Sequence, residues 1–137
     1  MKNHVVEKLL IRLTAEVAFI RSCHLVSFRQ YQSNPVLKKA LERSLQIAIQ
    51  VCIDIALRIV SKLNLGTEET TFAVFQKLID RKILPKRWEK IAPKMISIRN
   101  RLVHEYEVID DHIVYGIIAK HSRDFLAFKK VVEKHLD

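Results

Sequence analysis

Breakers of regular structure are scarce in this sequence, with 2 glycines and 3 prolines among 137 residues. So few obligatory turns favour long helices over a many-turned β architecture. No stretch alternates apolar and polar residues as a half-buried strand does, and no internal repeat or low-complexity tract is visible. The 2 cysteines, Cys23 and Cys52, form no CxxC and have no zinc-ligand spacing. They are expected to be buried structural thiols in a reducing compartment. Carboxylates are also short, 15 against 24 lysines and arginines, and they nowhere cluster as a two-metal nuclease requires. The resulting net charge of +9 suits a polyanionic partner, RNA or DNA, or an acidic protein, and it equally suits a plain basic surface. Charges interrupt MKNHVVEKLLIRL too early for a secretory signal. The most apolar segment, IAIQVCIDIALRIV, is broken by Gln50, Asp54 and Arg58 and is shorter than the roughly 20 residues a span needs. A cytoplasmic protein without a membrane partner is expected.

What is present is helical periodicity. Val6, Leu10, Leu13, Val17, Ile20 and Phe28 recur at three- and four-residue steps, predicting a first helix over roughly 2 to 29. Pro35, after SNP, suits the first turn of a second helix that runs to about Leu63 and stops at NLG, where Gly66 can take a positive φ. Phe72, Phe75 and Ile79 mark a shorter third helix closed by ILP, and Pro85 and Pro93 bracket a brief piece around Trp88. Another helix is expected to start near Pro93. Asp110 or Asp111 can cap a final one with Val114, Ile117 or Ile118, Phe125, Phe128 and Val132 inward. The expected fold is all-α, an up-and-down bundle of four main helices plus one or two short ones, forming a single domain over 1–137.

Two features resist a purely structural account. Between Ile47 and Val60 the second helix is apolar around most of its circumference, yet Gln46, Gln50 and Asp54 draw a polar line through it. On the helix starting near Pro93, Met95, Ile96, Ile98, Leu102, Val103 and Tyr106 form an apolar stripe with Arg99 near its middle. A buried carboxylate needs a partner, and an Asp54–Arg99 ion pair would explain both oddities. The alternative is a site. Asn100 and His104 are i,i+4 neighbours, whereas Arg99 and His104 are separated by roughly 7.5 Å of rise and about 140° of rotation. Two copies of the helix across a two-fold axis would bring both groups to one cleft. Imidazole titrates near neutrality and can move the proton of a ribose 2′-hydroxyl, while guanidinium holds phosphate oxygens and their developing charge. RNA cleavage without a metal or other cofactor is the chemistry this suits. His4, His24, His112, His121 and His135 are scattered and read as surface or packing residues.

RNRLVHEY resembles the Arg-x4-His-x-Tyr motif of the HEPN superfamily, and specifically of HepT-like toxins. LERSLQIAIQVCIDIALRIV is similar to that family's second helix, FAVFQKLIDRKILP to its third, and PKMISIRNRLVHEYEVIDDHIVY to the segment entering its last helix. The likeness covers about residues 38 to 120; Ser97-Ile98 departs from the glycine and bulky apolar residue frequent in relatives. The resemblance implies a metal-independent, homodimeric endoribonuclease toxin encoded beside a minimal nucleotidyltransferase (MNT) antitoxin. It implies catalytic roles for Arg99 and His104, a supporting role for Asn100, and Tyr106 as the acceptor of AMP from the antitoxin. The rival expectation is a non-catalytic HEPN-like binding or scaffold partner of such a nucleotidyltransferase.

Overall fold

The computed structural model describes residues 3–66, 70–104 and 109–136. Seven helices are found among them: α1 (His4–Ser22), α2 (Phe28–Ser33), α3 (Pro35–Lys62), α4 (Thr71–Asp80), α5 (Trp88–Val103), α6 (Asp111–Lys120) and α7 (Ser122–Leu136). No strand occurs among the described residues, and the fold is an all-α bundle.

Helix α3 is the axis of the bundle, because it touches every other helix. That explains its apolar circumference: Leu45, Ile49, Cys52, Ile55, Ala56 and Ile59 are all buried, on several sides of one helix. At 28 residues α3 is, by length and composition, long and apolar enough to cross a membrane, so length does not exclude a span as the sequence segment suggested. What argues for a core helix is burial, since 61% of its most apolar window lies inside the bundle. Against α3 pack α1, whose buried residues are Val6, Leu10, Leu13, Val17 and Ile20, and α5, whose buried residues include Met95, Ile98 and Leu102.

Three boundaries differ from the sequence expectation. The first helix stops at Ser22, and Phe28 belongs to α2, which opens with a capping box. Gln30 N–H donates to Ser27 Oγ at 3.1 Å and Ser27 N–H to Gln30 Oε1 at 2.9 Å. The helix expected to start near Pro93 starts at Trp88 and runs through that proline. A proline six positions in forfeits one backbone bond, and the first turn is held instead by buried Trp88, wedged between Phe75 and Phe128 with ring centroids 6.3 and 5.5 Å away. The final helix divides at His121 into α6 and α7, where His121 Nδ1 lies 2.8 Å from Asp124 Oδ2.

The helix stops follow expectation more closely. Leu65 N–H reaches back to Val60 O at 3.0 Å, with Asn64 in the left-handed region at φ 53° and Gly66 following at φ 100°. Asn34 caps α3 ahead of Pro35, and Asp110 caps α6 by accepting from His112 N–H at 2.9 Å. Cys52 is buried, and burial pushes its thiol pKa far up. Cys23 departs from expectation, being only partly buried at the end of α1.

Candidate active site

Arg99 lies on α5 where that helix faces α3, half-buried as its place in the apolar stripe required. Its partner is not Asp54, as an ion pair would have it. Arg99 Nη1 donates to Gln50 Oε1 at 2.8 Å, and Gln50 Nε2 donates to Asp54 Oδ1 at 2.9 Å. The amide is thereby oriented at both ends: its oxygen must face the guanidinium, so its nitrogen faces the carboxylate. Arg99, Gln50 and Asp54 form a relay in which the negative charge sits one residue away from the cation. Arg99 Nε is buried and has no hydrogen-bond partner among the described residues. A buried charged donor without a partner is costly.

Asn100, next along α5, is exposed. His104 is also exposed and forms the C-cap of α5 with φ −91° and ψ 81°. Asn100 and His104 keep their four-residue spacing, with His104 as the cap that ends the helix. Val103, expected in the apolar stripe, is 50% exposed. Tyr106 lies outside the described residues. On α3, Leu57 stands seven residues beyond Gln50 and is 45% exposed. Leu57 and Val103 thus extend the faces that carry Gln50 and Arg99, each leaving an apolar side chain open to solvent.

The opposite face of α5 is different. Lys94, Ser97 and Arg101, with Lys90 a turn earlier, look into a groove of about 730 Å³ completed by Ile113, Gly116, Ile117 and Lys120 of α6. Arg101 is rotated by about 200° from Arg99, so α5 presents one arginine to α3 and another to this groove. Lys120 also lines a neighbouring cavity of about 660 Å³ with Arg21, Cys23, His24, Tyr115 and Arg123. Sequence reasoning missed both. The signal available to it was Lys90, Lys94, Ser97 and Arg101 at helical spacing, visible once α5 is known to start at Trp88.

A family model described as ribonuclease HepT-like matches residues 13–132. The chain belongs to the HepT-like ribonuclease family. Among relatives of this HepT-like chain, the tRNA nuclease HepT of Aphanizomenon flos-aquae is 31% identical over 112 residues, covering 81% of this chain and 76% of the relative. In fold, it is similar to a chain of a toxin–antitoxin complex with AMP-PNP, at TM-score 0.88 and 22% identity over 96% of this chain and 99% of the other. It is similar also to a chain of the complex between the tri-AMPylated Shewanella oneidensis HEPN toxin and its MNT antitoxin, at TM-score 0.87 and 22% identity, covering 97% of this chain and 99% of that one.

Proposed function

We propose that this HepT-like chain is a metal-independent endoribonuclease, the toxin of a toxin–antitoxin pair, working as a homodimer in the cytoplasm. The observation that carries the reading is Arg99: a guanidinium inside the family's Arg-x4-His motif, fixed by Gln50, with a buried Nε–H that has no partner among the described residues. In the proposed reaction the 2′-oxygen of RNA attacks the adjacent phosphorus, forming a P–O2′ bond while the P–O5′ bond breaks. One His104 takes the 2′-hydroxyl proton, and the His104 of the second copy gives a proton to the leaving 5′-oxygen. Arg99 holds the non-bridging oxygens as their charge grows, and exposed Asn100 adds a neutral donor beside it. Such general acid–base assistance is worth roughly 10²–10⁴-fold in rate. The tRNA nuclease name of the cyanobacterial relative supports transfer RNA as the substrate to try first. The MNT antitoxin complex of the similar Shewanella chain supports a nucleotidyltransferase partner that silences the enzyme by adding AMP to Tyr106.

The test is cleavage of transfer RNA by wild type, Arg99→Ala and His104→Ala, with thermal melts of all three. Both variants are expected to lose at least about 10²-fold in rate while melting as folded proteins. Undiminished cleavage by either variant would remove that residue from the chemistry. A second reading, a non-catalytic scaffold for the nucleotidyltransferase, draws on the fact that Arg99 is tied into helix packing through Gln50. It predicts an inert wild type and a large melting loss for Arg99→Ala.

A further inference from the structure

The basic excess of this chain is not evenly spread. Lysines and arginines outnumber carboxylates by 24 to 15 overall. Around the α5–α6 groove and the cavity that adjoins it, the balance is far more one-sided. Lys90, Lys94, Arg101, Lys120, Arg21 and Arg123 line the two hollows, against one carboxylate, Asp110. Asp110 is already engaged, capping α6 and lying 3.6 Å from His112. The six cations are exposed, and none has an ion-pair partner within 4.0 Å among the described residues. A solvated surface ordinarily interleaves its signs, because like charges held side by side repel. Six cations without an ion-pair partner among the described residues, along two hollows that share Lys120, suit a polyanion.

The geometry fits an extended one. Lys90, Lys94 and Arg101 follow one face of α5 over about 16 Å of helix rise. Lys120 belongs to both hollows, so the line continues without a break to Arg21 and Arg123 at the junction of α1 and α7. Its α5 end leads to His104, which caps that helix. We infer that this band is the track for the phosphate backbone of the RNA substrate, delivering the strand to the end of α5. The inference rests on the ribonuclease reading for the identity of the polyanion. It assigns substrate binding to residues on the face of α5 opposite Arg99.

Binding and cleavage are measured separately, so that the two readings fail separately. RNA affinity is measured with the His104→Ala protein and transfer RNA, by titration across a range of salt concentrations. Each phosphate contact contributes roughly 0.7–0.9 to the slope of log affinity against log salt. Adding Lys94→Ala, Arg101→Ala and Lys120→Ala is expected to reduce that slope by about two units and to weaken binding. A control with the same change in net charge, Lys8→Ala, Lys39→Ala and Lys130→Ala, removes exposed lysines elsewhere and is expected to leave the slope within about half a unit of the parent. Equal slopes for the two triple variants would overturn the track. So would a groove variant that keeps RNA binding but no longer associates with its own copy or with the nucleotidyltransferase, which would make the groove a protein interface. A wild type that binds RNA through the band without cutting it would refute the ribonuclease reading and leave the track standing.

Discussion

A cation pressed against an apolar helix has few acceptors within reach, and Arg99 takes a neutral one, Gln50 Oε1 at 2.8 Å. An amide costs less to bury than a carboxylate, and it leaves the guanidinium's charge largely uncompensated for a phosphate. Replacing it by an apolar residue of similar size, Gln50→Leu, strands Asp54 Oδ1 and a second Arg99 donor together. The expected loss is about 1–3 kcal/mol in chemical denaturation, with cleavage reduced because Arg99 is no longer aimed. An unchanged midpoint and unchanged rate would mean that Gln50 holds nothing in place. The sequence exposed the polar line and the displaced arginine but named the wrong partner. Gln50 and Asp54 lie one turn apart, and spacing alone cannot tell which of them sits level with a residue on another helix. Tyr106 poses the reverse case, since its proposed role comes from family likeness and its placement lies outside the described residues. After incubation with ATP, magnesium and the nucleotidyltransferase, the phenol oxygen would bond to the α-phosphorus as pyrophosphate leaves. Intact mass should then show added AMP on wild type and none on Tyr106→Phe. Equal labelling of both proteins would exclude Tyr106 as the acceptor.

At the scale of helices, apolar periodicity located the core faces of α1, with Val6 to Ile20, and of α7, with Phe125, Phe128 and Val132, while on α5 it also took in Val103, which is exposed. It failed at the breaks, because three- and four-residue steps continue across a tight turn when both sides face the same core. The turn before α2 was nonetheless written in Ser27 and Gln30, whose spacing is that of a capping box. Short α2 depends on tertiary ties, and the principal one is Tyr31. Its ring is fully buried among Phe28 and Tyr115, and its hydroxyl donates to Glu42 Oε2 of α3 at 2.6 Å. Burial first, then the Glu42 carboxylate by hydrogen bond and by charge, with Asp111 adding to it, drive the phenol pKa well above its ordinary value near 10. In the unfolded chain Tyr31 ionises at about pH 10, while in the folded protein it stays protonated. Its contribution is therefore complete below pH 10 and declines as pH rises above it. Tyr31→Phe should cost about 1.5–3 kcal/mol at neutral pH, the worth of a hydrogen bond to a charged group. The gap between wild type and variant, followed by urea denaturation at several pH values, should narrow above pH 10. A gap independent of pH would show that the phenol is not held neutral.

For the whole molecule, helix α3 explains why so much of the fold was legible: a segment apolar all round must be kept from water on every side, and here other helices surround it. Association was less legible, because it depends on which apolar residues remain outside after folding. Leu57 and Val103 are 45% and 50% exposed, on the faces of α3 and α5 that also carry Gln50 and Arg99. In a two-fold dimer each is buried twice, once per protomer, and fully burying a Leu or Val side chain is worth roughly 1.5–3 kcal/mol. The same contact would bring two copies of Arg99 and His104 together. Light scattering of the wild type at micromolar concentration is therefore expected to give roughly twice the 16.0 kDa chain mass. Leu57→Asp together with Val103→Asp sets like charges against one another across the axis, and should yield a folded monomer that no longer cuts RNA. Both substitutions lie at solvent-exposed positions, so the melting transition of the monomer should remain cooperative. Cleavage that survives in a verified monomer would remove the shared cleft and leave Arg99 and His104 to act within one chain. A dimer unaffected by both substitutions would exclude this face as the interface.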